Sequence, residues 1–306
     1  MRQDIRHYFE DIAQVLFFKE AHFGLLFLVI SLAINPKLFV CGLFASVVGA
    51  TYAKLYRVPK ALKDGGLLTI NGFFFGIALA SLYQRSPQFY AGLVIGSLAV
   101  PIATKVAYEI LQHWKLSPFI VSYISVIWIL VLCANTFGFQ IETESGILKD
   151  SAANLNNLFV DESVFSHFVL SIFKGMGRLF FLPHEIYGIV VMLLVMVFSP
   201  KKGIHFFLGT AVATLATFAL APTQAIFDQY SHFSYCAGLV GIALASSPEK
   251  LNFNTILMFC LMSLFVTMAL AQFLGNLGLP LLSLPYVITL WVAYLSRSPR
   301  LNVSWA

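Results

Sequence analysis

Apolar runs separated by short polar breaks recur along the whole chain. They give ten candidate membrane spans, near residues 22–35, 38–56, 66–84, 88–111 and 119–136, and then 186–199, 203–221, 234–247, 253–274 and 285–297. About 18 consecutive apolar residues suffice to cross a hydrocarbon core, and several of these runs are shorter than that. Pro36, Asp64-Gly65-Gly66, Ser86-Pro87, Pro200, Ser247-Pro248 and Gly275 punctuate the runs, as residues that break or cap helices should. Ahead of the first run, Ile5, Tyr8, Phe9, Ile12, Val15 and Leu16 follow helical spacing and predict an amphipathic helix. Phe165, Phe168, Val169, Ile172 and Phe173 predict a second one over Val164–Phe181, ahead of the sixth run.

The two sets of five runs look like copies. Gly24-Leu25-Leu26 followed by Pro36-Lys37 parallels Gly188-Ile189-Val190 followed by Pro200-Lys201, 164 residues later. Gly76 to Ser81 recurs as Gly241 to Ser246, 165 residues later, and Ser117 to Trp128 parallels Pro280 to Trp291 at 163. The expected organisation is therefore two repeats, 1–150 and 151–306, each a half-pore. An odd number of spans per copy turns the second copy upside down, and inverted repeats with the solute path at their interface are a common transporter design. With both termini cytoplasmic, the inner side holds Arg2, Arg6, Lys54, Arg57, Lys60, Lys63, Lys105, Lys115, Lys201, Lys202, Lys250, Arg297 and Arg300. The outer side holds only Lys37, Arg85 and Lys149, with Lys19, Lys174 and Arg178 unassigned. That bias obeys the positive-inside rule.

Composition supports the same class. Of 306 residues 59% are apolar and 11% charged, and the mean hydropathy is +0.83. A soluble domain is nearer a quarter charged. The net charge of +5 is strung between apolar segments, which argues against nucleic acid as a partner. Cys41, Cys133, Cys236 and Cys260 sit inside apolar segments without metal-ligand spacing and read as packing residues. The first twenty residues carry Arg2, Asp4, Arg6, Glu10 and Asp11 and no small-residue cleavage site, so they are not read as a secretory signal.

Two segments resist being ordinary spans. Leu279-Pro280-Leu281-Leu282-Ser283-Leu284-Pro285-Tyr286 places two prolines five apart in apolar sequence, and Leu116-Ser117-Pro118-Phe119-Ile120 is its counterpart. Proline breaks a helix interior, and carbonyls freed at membrane depth need a watery path or buried donors. Each segment reads as a re-entrant half-helix with a row of exposed carbonyls; a proline kink in a packed helix is the plainer alternative. Gln14 and Arg178 fall at equivalent positions, each three residues before a phenylalanine, Phe17 and Phe181. An intramembrane arginine marks a functional pathway or a specific partner. It faces a pore, or else lies near the interface paired with Glu185 or Asp161.

The motifs, taken in order, resemble those of urea transporters. Gly66-Leu67-Leu68-Thr69-Ile70-Asn71-Gly72 followed by Gly76 looks like that family's Gly-Leu-x-Gly-aromatic-Asn-Gly signature, and Leu279 to Tyr286 resembles its Leu-Pro-x-x-Thr-x-Pro-Phe signature. Gln14-x-x-Phe17-Phe18 ahead of Gly24-Leu25-Leu26 fits as well. The resemblance implies an all-α integral membrane channel of two inverted repeats of about five transmembrane helices, with re-entrant half-helices and amphipathic pre-helices. It further implies a homotrimer with one pore per subunit, in a bilayer, with no cofactor and a small neutral solute, urea, as partner. Facing rows of oxygens would take the solute's N–H groups while aromatic rings press on its flat faces, which suits a thin planar molecule.

Carried over by position, Gln14 and Arg178 sit beside the two oxygen ladders. Phe17 with Ile70, and Phe181 with Tyr235, form two slots; Phe74 and Leu239 narrow the centre. Ile120 and Ser283 occupy the places of the family's pore threonines, beside the carbonyls of Ser117, Pro118, Phe119 and Ile120 and of Pro280, Leu281, Leu282 and Ser283. Four positions depart from the family. Ile70 replaces an aromatic, Ile120 removes a hydroxyl, Cys236 stands where Asn71 would repeat, and Arg178 replaces an acceptor side chain with a permanent donor. They leave a second reading beside urea: the same fold conducting a short amide, ammonia or a small anion.

An enzyme finds little support. The histidines His7, His22, His113, His167, His184, His205 and His232 form no metal pair around a glutamate, and no nucleophile elbow or phosphate loop occurs,. His184-Glu185 reads as a polar cap at a helix start. Coupled transport would need buried carboxylates; Glu109 lies near His113 and Lys115 at a span's end and Asp228 in a loop, so passive flow is expected. The compact length is compatible with a bacterial inner (plasma) membrane protein.

Overall fold

The computed structural model describes residues 2–140, 164–182, 184–220, 227–247 and 251–296. Lys149, Asp161, Lys250, Arg297, Arg300 and Pro248 lie outside them, as do the side chains of Arg2, Phe165, His167, Asp228 and His232. Among the described residues the regular elements are helices: α1 Arg2–Ala13, α2 Ala21–Ile34, α3 Pro36–Leu55, α4 Lys60–Asp64, α5 Leu67–Leu82, α6 Pro87–Leu111 and α7 Val121–Phe137. After a break follow α8 Val164–Arg178, α9 Glu185–Phe198, α10 Pro200–Leu220, α11 Phe227–Ser246, α12 Phe253–Asn276 and α13 Leu284–Leu295. Short 3₁₀ turns, Gln14–Leu16 and Gln112–Trp114, follow α1 and α6.

The punctuation residues act mainly at helix starts. Asn35 caps α3, accepting from the Leu38 amide at 3.1 Å, with Pro36 as the first helical residue. Ser86 does the same for Phe89 at 3.2 Å ahead of Pro87. Proline is tolerated there because its missing amide would have no partner in the helix anyway. Pro285 likewise falls in the first turn of α13, so it begins a helix rather than breaking one. His184 caps α9 through the Ile186 amide at 3.3 Å, as expected of a polar cap. Gly275 is still inside α12; the stop is Gly278, with φ 66°.

Ten apolar runs become helices of two lengths. Four are long and apolar enough to cross a membrane: Pro36–Leu55, Pro87–Trp114 (α6 with its 3₁₀ turn), Pro200–Leu220 and Phe253–Asn276. The amphipathic first helix and α2 add a fifth only as one broken span, bent by 74°. The runs behind α5, α7, α9 and α13 yield shorter apolar helices, and α11 is apolar from Phe233 to Ser246. At 1.5 Å per residue a 16-residue helix reaches only about 24 Å, short of a core of about 30 Å.

The chain divides into two compact units, residues 1–142 with 291–306, and residues 143–290. In the first unit α5 is the interior element: Leu68 to Leu79 is buried without interruption, including Thr69 and Asn71. It packs on α3, α6 and α7. A helix buried all round needs apolar or satisfied residues on every face, which is why its run looked like a span. In the second unit α11 takes the same part, buried from Ser234 to Ala245 and packed on α8, α10 and α12.

Close helix approach depends on missing side chains. A Cβ on Gly72 or Gly76 would overlap the Ala45 or Cys41 carbonyl of α3, and one on Gly241 would overlap the His205 carbonyl of α10. Small residues let backbones meet where lipid offers no hydrophobic drive for helices to associate. The outer faces are apolar instead. On α6, Ile95, Leu98, Ile102, Val106 and Ile110 are exposed while Gly96, Ser97, Val100 and Thr104 are buried. The buried hydroxyls bond back along the helix, Ser97 to Leu93 at 2.5 Å and Thr104 to Val100 at 2.8 Å. An apolar exterior around a partly polar interior suits lipid rather than water. This is an all-α integral membrane protein.

Gly76→Ala should push α5 off α3 and lower the thermal unfolding midpoint of the detergent-solubilised chain, at a cost of about 1–3 kcal/mol. Gly275→Ala, where a Cβ meets nothing within 4 Å, should leave the midpoint unchanged or raise it slightly. Equal effects would show that the α3–α5 approach is not tight.

Candidate functional site

Among the described residues five non-glycine positions have left-handed backbone: Phe17 (φ 62°), Lys115 (55°), Phe119 (45°), Phe181 (59°) and Leu282 (48°). Each costs about 1–2 kcal/mol relative to right-handed backbone, and residues held in this way gather at functional sites. Their positions repeat. Phe17 and Phe181 are 164 residues apart, Phe119 and Leu282 are 163 apart, and Lys115 matches Gly278 at 163.

Two kinds of corner account for them. After the 3₁₀ turn the Phe17 amide donates to the Gln14 carbonyl (2.9 Å) and the Phe18 amide to Ala13 (3.1 Å). After α8 the Phe181 amide donates to Arg178 (2.9 Å) and Leu182 to Gly177 (3.2 Å). This is the left-handed helix stop usually given to glycine, built here on a phenylalanine in both places. It turns the chain sharply just after Gln14 and just after Arg178. The second corner lies before α7 and α13, where Phe119 and Leu282 each invert the backbone two residues ahead of the helix. Ser117–Ile120 and Pro280–Ser283 are thus outside any continuous helix, as a broken-helix reading requires.

In the second unit these corners enclose a small cleft of about 30 Å³, room for about two waters,. Arg178, Leu179, Phe181, Tyr235, Leu281, Leu282 and Ser283 line it. All but Leu179 are residues that the sequence motifs point to. Arg178 is only 7% exposed, and Ser283, Tyr235, Leu281 and Leu282 are buried. Pro280 and Leu239 are not in the cleft wall; Leu239 is buried one turn along α11 from Tyr235.

The Tyr235 hydroxyl donates to the Leu282 carbonyl, tying the left-handed residue to α11. In the first unit the corresponding carbonyl, that of Phe119, is tied to α5 by a different group. The Asn71 amide donates to it at 2.7 Å and to the Leu67 carbonyl at 2.8 Å, while Asn71 Oδ1 accepts from the Tyr123 amide at 3.2 Å. Cys236 stands where Asn71 would repeat and keeps one of these contacts, with the Tyr286 amide on its thiol. The lost amide tether is thus replaced by a hydroxyl from the preceding residue, at the position where the first unit has Ile70. A buried asparagine on an otherwise apolar helix must find partners, and that is the sequence signal for this clamp.

The expected carbonyl rows are partly occupied. Beside Phe119 and Leu282, the Ser117 carbonyl accepts from Trp291 Nε1 at 2.8 Å and the Pro118 carbonyl from the Val121 amide at 3.1 Å. A carbonyl oxygen has two lone pairs, and in each of these one is taken by the bond named. Gln14 donates to the Asp64 carbonyl at 3.3 Å. Ile70, Phe74 and Ile120 are buried, with the Phe74 ring stacked on Tyr123 at 5.5 Å between centroids. Phe17 is half-buried. Glu109, the carboxylate weighed for coupled transport, is exposed near the end of α6, 4.0 Å from Lys105.

Broken helices, buried polar groups at the breaks and a lipid-facing exterior define a membrane transport protein of the broken-helix kind. The chain belongs to the urea transporter family, whose model matches residues 5–298. It is similar to Urea transporter 1 of Mus musculus, at 21% identity over 259 residues. That match covers 83% of this chain and 66% of the mouse protein, so the chain spans just under two thirds of its relative's length. The family is one of transport proteins rather than enzymes.

Asn71→Leu strands the Phe119 carbonyl and the Tyr123 amide and should cost about 1–3 kcal/mol per buried group left unsatisfied. Tyr235→Phe removes a single bond and should cost about 1 kcal/mol. Thermal unfolding in detergent should rank the asparagine variant clearly below the tyrosine variant; the reverse order would remove the clamp from this account.

Proposed function

We propose that the protein is a passive channel for urea or a urea-like small polar solute. The observation that carries this reading is the cleft at Arg178, Phe181, Tyr235, Leu282 and Ser283. There an aromatic ring, a hydroxyl and a held backbone carbonyl meet at a helix break. Family membership supports it, and so does the mouse relative's description as a urea transporter. The pore residues in this reading are Gln14, Phe17, Ile70, Phe74 and Ser117 to Ile120 from the first repeat. Arg178, Phe181, Tyr235, Leu239 and Pro280 to Ser283 come from the second.

A planar solute offering N–H groups exchanges its water for carbonyl and hydroxyl oxygens fixed by Asn71, Trp291 and Tyr235, so little reorganisation is needed as it enters. Aromatic rings fit the flat faces of such a solute and exclude a bulky hydrated ion. Binding is weak and reversible, and flow follows the gradient. The repeats are taken as 1–150 and 151–306 in opposite orientation, each supplying half of the pore, with both termini cytoplasmic; the charge distribution along the sequence supports this. The assembly is taken as a homotrimer in a plasma membrane, bacterial inner membrane included.

Proteoliposomes challenged with a urea gradient should recover volume, followed by light scattering, faster than protein-free vesicles. The rate should not change when proton or sodium gradients are collapsed. Urea flux equal to that of empty vesicles would refute the substrate, and gradient-dependent flux would refute the passive mechanism.

A further inference from the structure

Lys54, Arg57, Lys60 and Lys63 put four positive charges at the end of α3 and along α4 of the first unit. All four are exposed. Lys60 and Lys63 lie on one face of α4, about 4.5 Å apart along its axis,. Asp4 of α1 meets Lys54 at 3.1 Å, and Asp64 lies 4.0 Å from Lys60. Among the described residues Arg57 and Lys63 have no ion pair, so the cluster stays net positive. The end of α6 in the same unit carries only Lys105 and Lys115 over a stretch of similar length, with Glu109 4.0 Å from the first. Orienting helices needs a surplus of bases on one side of the membrane, not their concentration at one helix end.

The cluster sits where an apolar stripe ends. On α3, Val40, Phe44, Val47 and Leu55 are exposed at helical spacing, Leu55 by 75%. Thr51, between them, turns its hydroxyl back onto the Val47 carbonyl at 2.7 Å. An apolar face therefore runs along a membrane-length helix up to the first of the four bases,. Beside that base the exposed Tyr56 ring stacks on Tyr52 at 4.4 Å between centroids. Amphipathic rings of this kind settle at the boundary between hydrocarbon and headgroups.

We propose that this face of the first unit binds an anionic phospholipid, with its phosphate among Arg57, Lys60 and Lys63 and an acyl chain along Phe44 and Val47 of α3. The Arg57 guanidinium is a fork that takes two phosphate oxygens at once, while the lysines act as mobile point charges. Each basic residue near an anionic surface strengthens binding about fivefold. A zwitterionic lipid offers the same chains under a neutral headgroup, and a soluble phosphate offers the charge without chains. Only an anionic lipid matches both halves of the face. A second copy of the chain docked here through the same face would bring two net-positive clusters together, which is unfavourable. The site needs only a bilayer around the chain and is independent of the solute.

The test equilibrates the full chain in detergent micelles of varied phosphatidylglycerol to phosphatidylcholine ratio and counts the lipids retained after gel filtration by mass spectrometry. Wild type should select phosphatidylglycerol. Arg57→Gln combined with Lys63→Gln should raise the ratio at which half of the chains carry that lipid by about thirtyfold, fivefold for each charge. Lys37→Gln combined with Lys201→Gln removes as many charges at the starts of α3 and α10 and should leave the ratio unchanged. Arg57→Lys combined with Lys63→Arg, which keeps the charge, should retain the selection. No change in the Arg57/Lys63 neutral variant, or an equal loss in the Lys37/Lys201 control, overturns the proposal. Displacement of the lipid by soluble glycerol 3-phosphate identifies a site for free anions and overturns it too. So does a neutral variant that keeps its selection but elutes as a smaller assembly, since a second copy then covers this face. If the neutral variant does not fold, salt decides on wild type: selection should weaken as ionic strength rises, and selection indifferent to salt overturns the assignment.

Discussion

A backbone that breaks inside an apolar protein must find partners for its amides and carbonyls within the chain, because lipid supplies none. Much of the architecture answers that constraint. The corners at Phe17, Lys115, Phe181 and Gly278 close on themselves with paired backbone hydrogen bonds. The inverted residues Phe119 and Leu282 cannot do so, and each has its carbonyl tied to the interior helix beside it. Asn71 and Tyr235 perform the same task with different chemistry from adjacent positions of matching helices. The constraint is thus kept while the residue that meets it is free to move.

Those tethers work because α5 and α11 run through the interior rather than along the lipid. Glycines on α5 and α11 bring their backbones close enough to α3 and α10 for the interior helices to be buried on all sides. Hydroxyls that face inward, such as Ser97, Thr104, Thr210, Thr214 and Thr217, bond to carbonyls of their own helices. They therefore add polarity inside without adding unsatisfied groups. What distinguishes the breaks is that their carbonyls are fixed by side chains from other helices. A held carbonyl and a buried guanidinium therefore share the wall of the cleft in the second unit.

The class of the protein, its helical breaks and most of the cleft wall were legible in the chain. Pro36, Ser86-Pro87 and Pro200 mark helix starts because capping and the missing proline amide are local effects. The broken segments around Pro118 and Pro280 were legible for the same reason. Arg178 stood out because a charge within apolar sequence demands an explanation wherever it ends up. Leu179 gave no signal, being one apolar residue among many. Hydropathy does not distinguish a helix surrounded by lipid from one surrounded by protein, so the depth at which α5 and α11 are buried was not legible.

The sequence by itself determined that the chain is a helical membrane protein with two corresponding sets of breaks, because apolar run length and proline placement act over a few turns. Only the tertiary structure decided which carbonyls are already held, that the Tyr235 hydroxyl takes over from the absent asparagine amide, and that Arg178, Phe181 and Ser283 share one cleft. Such pairings join residues tens of positions apart in the chain. Their geometry arises from how closely helices pack and where the backbone inverts, and neither is recorded in the order of hydrophobic and polar residues.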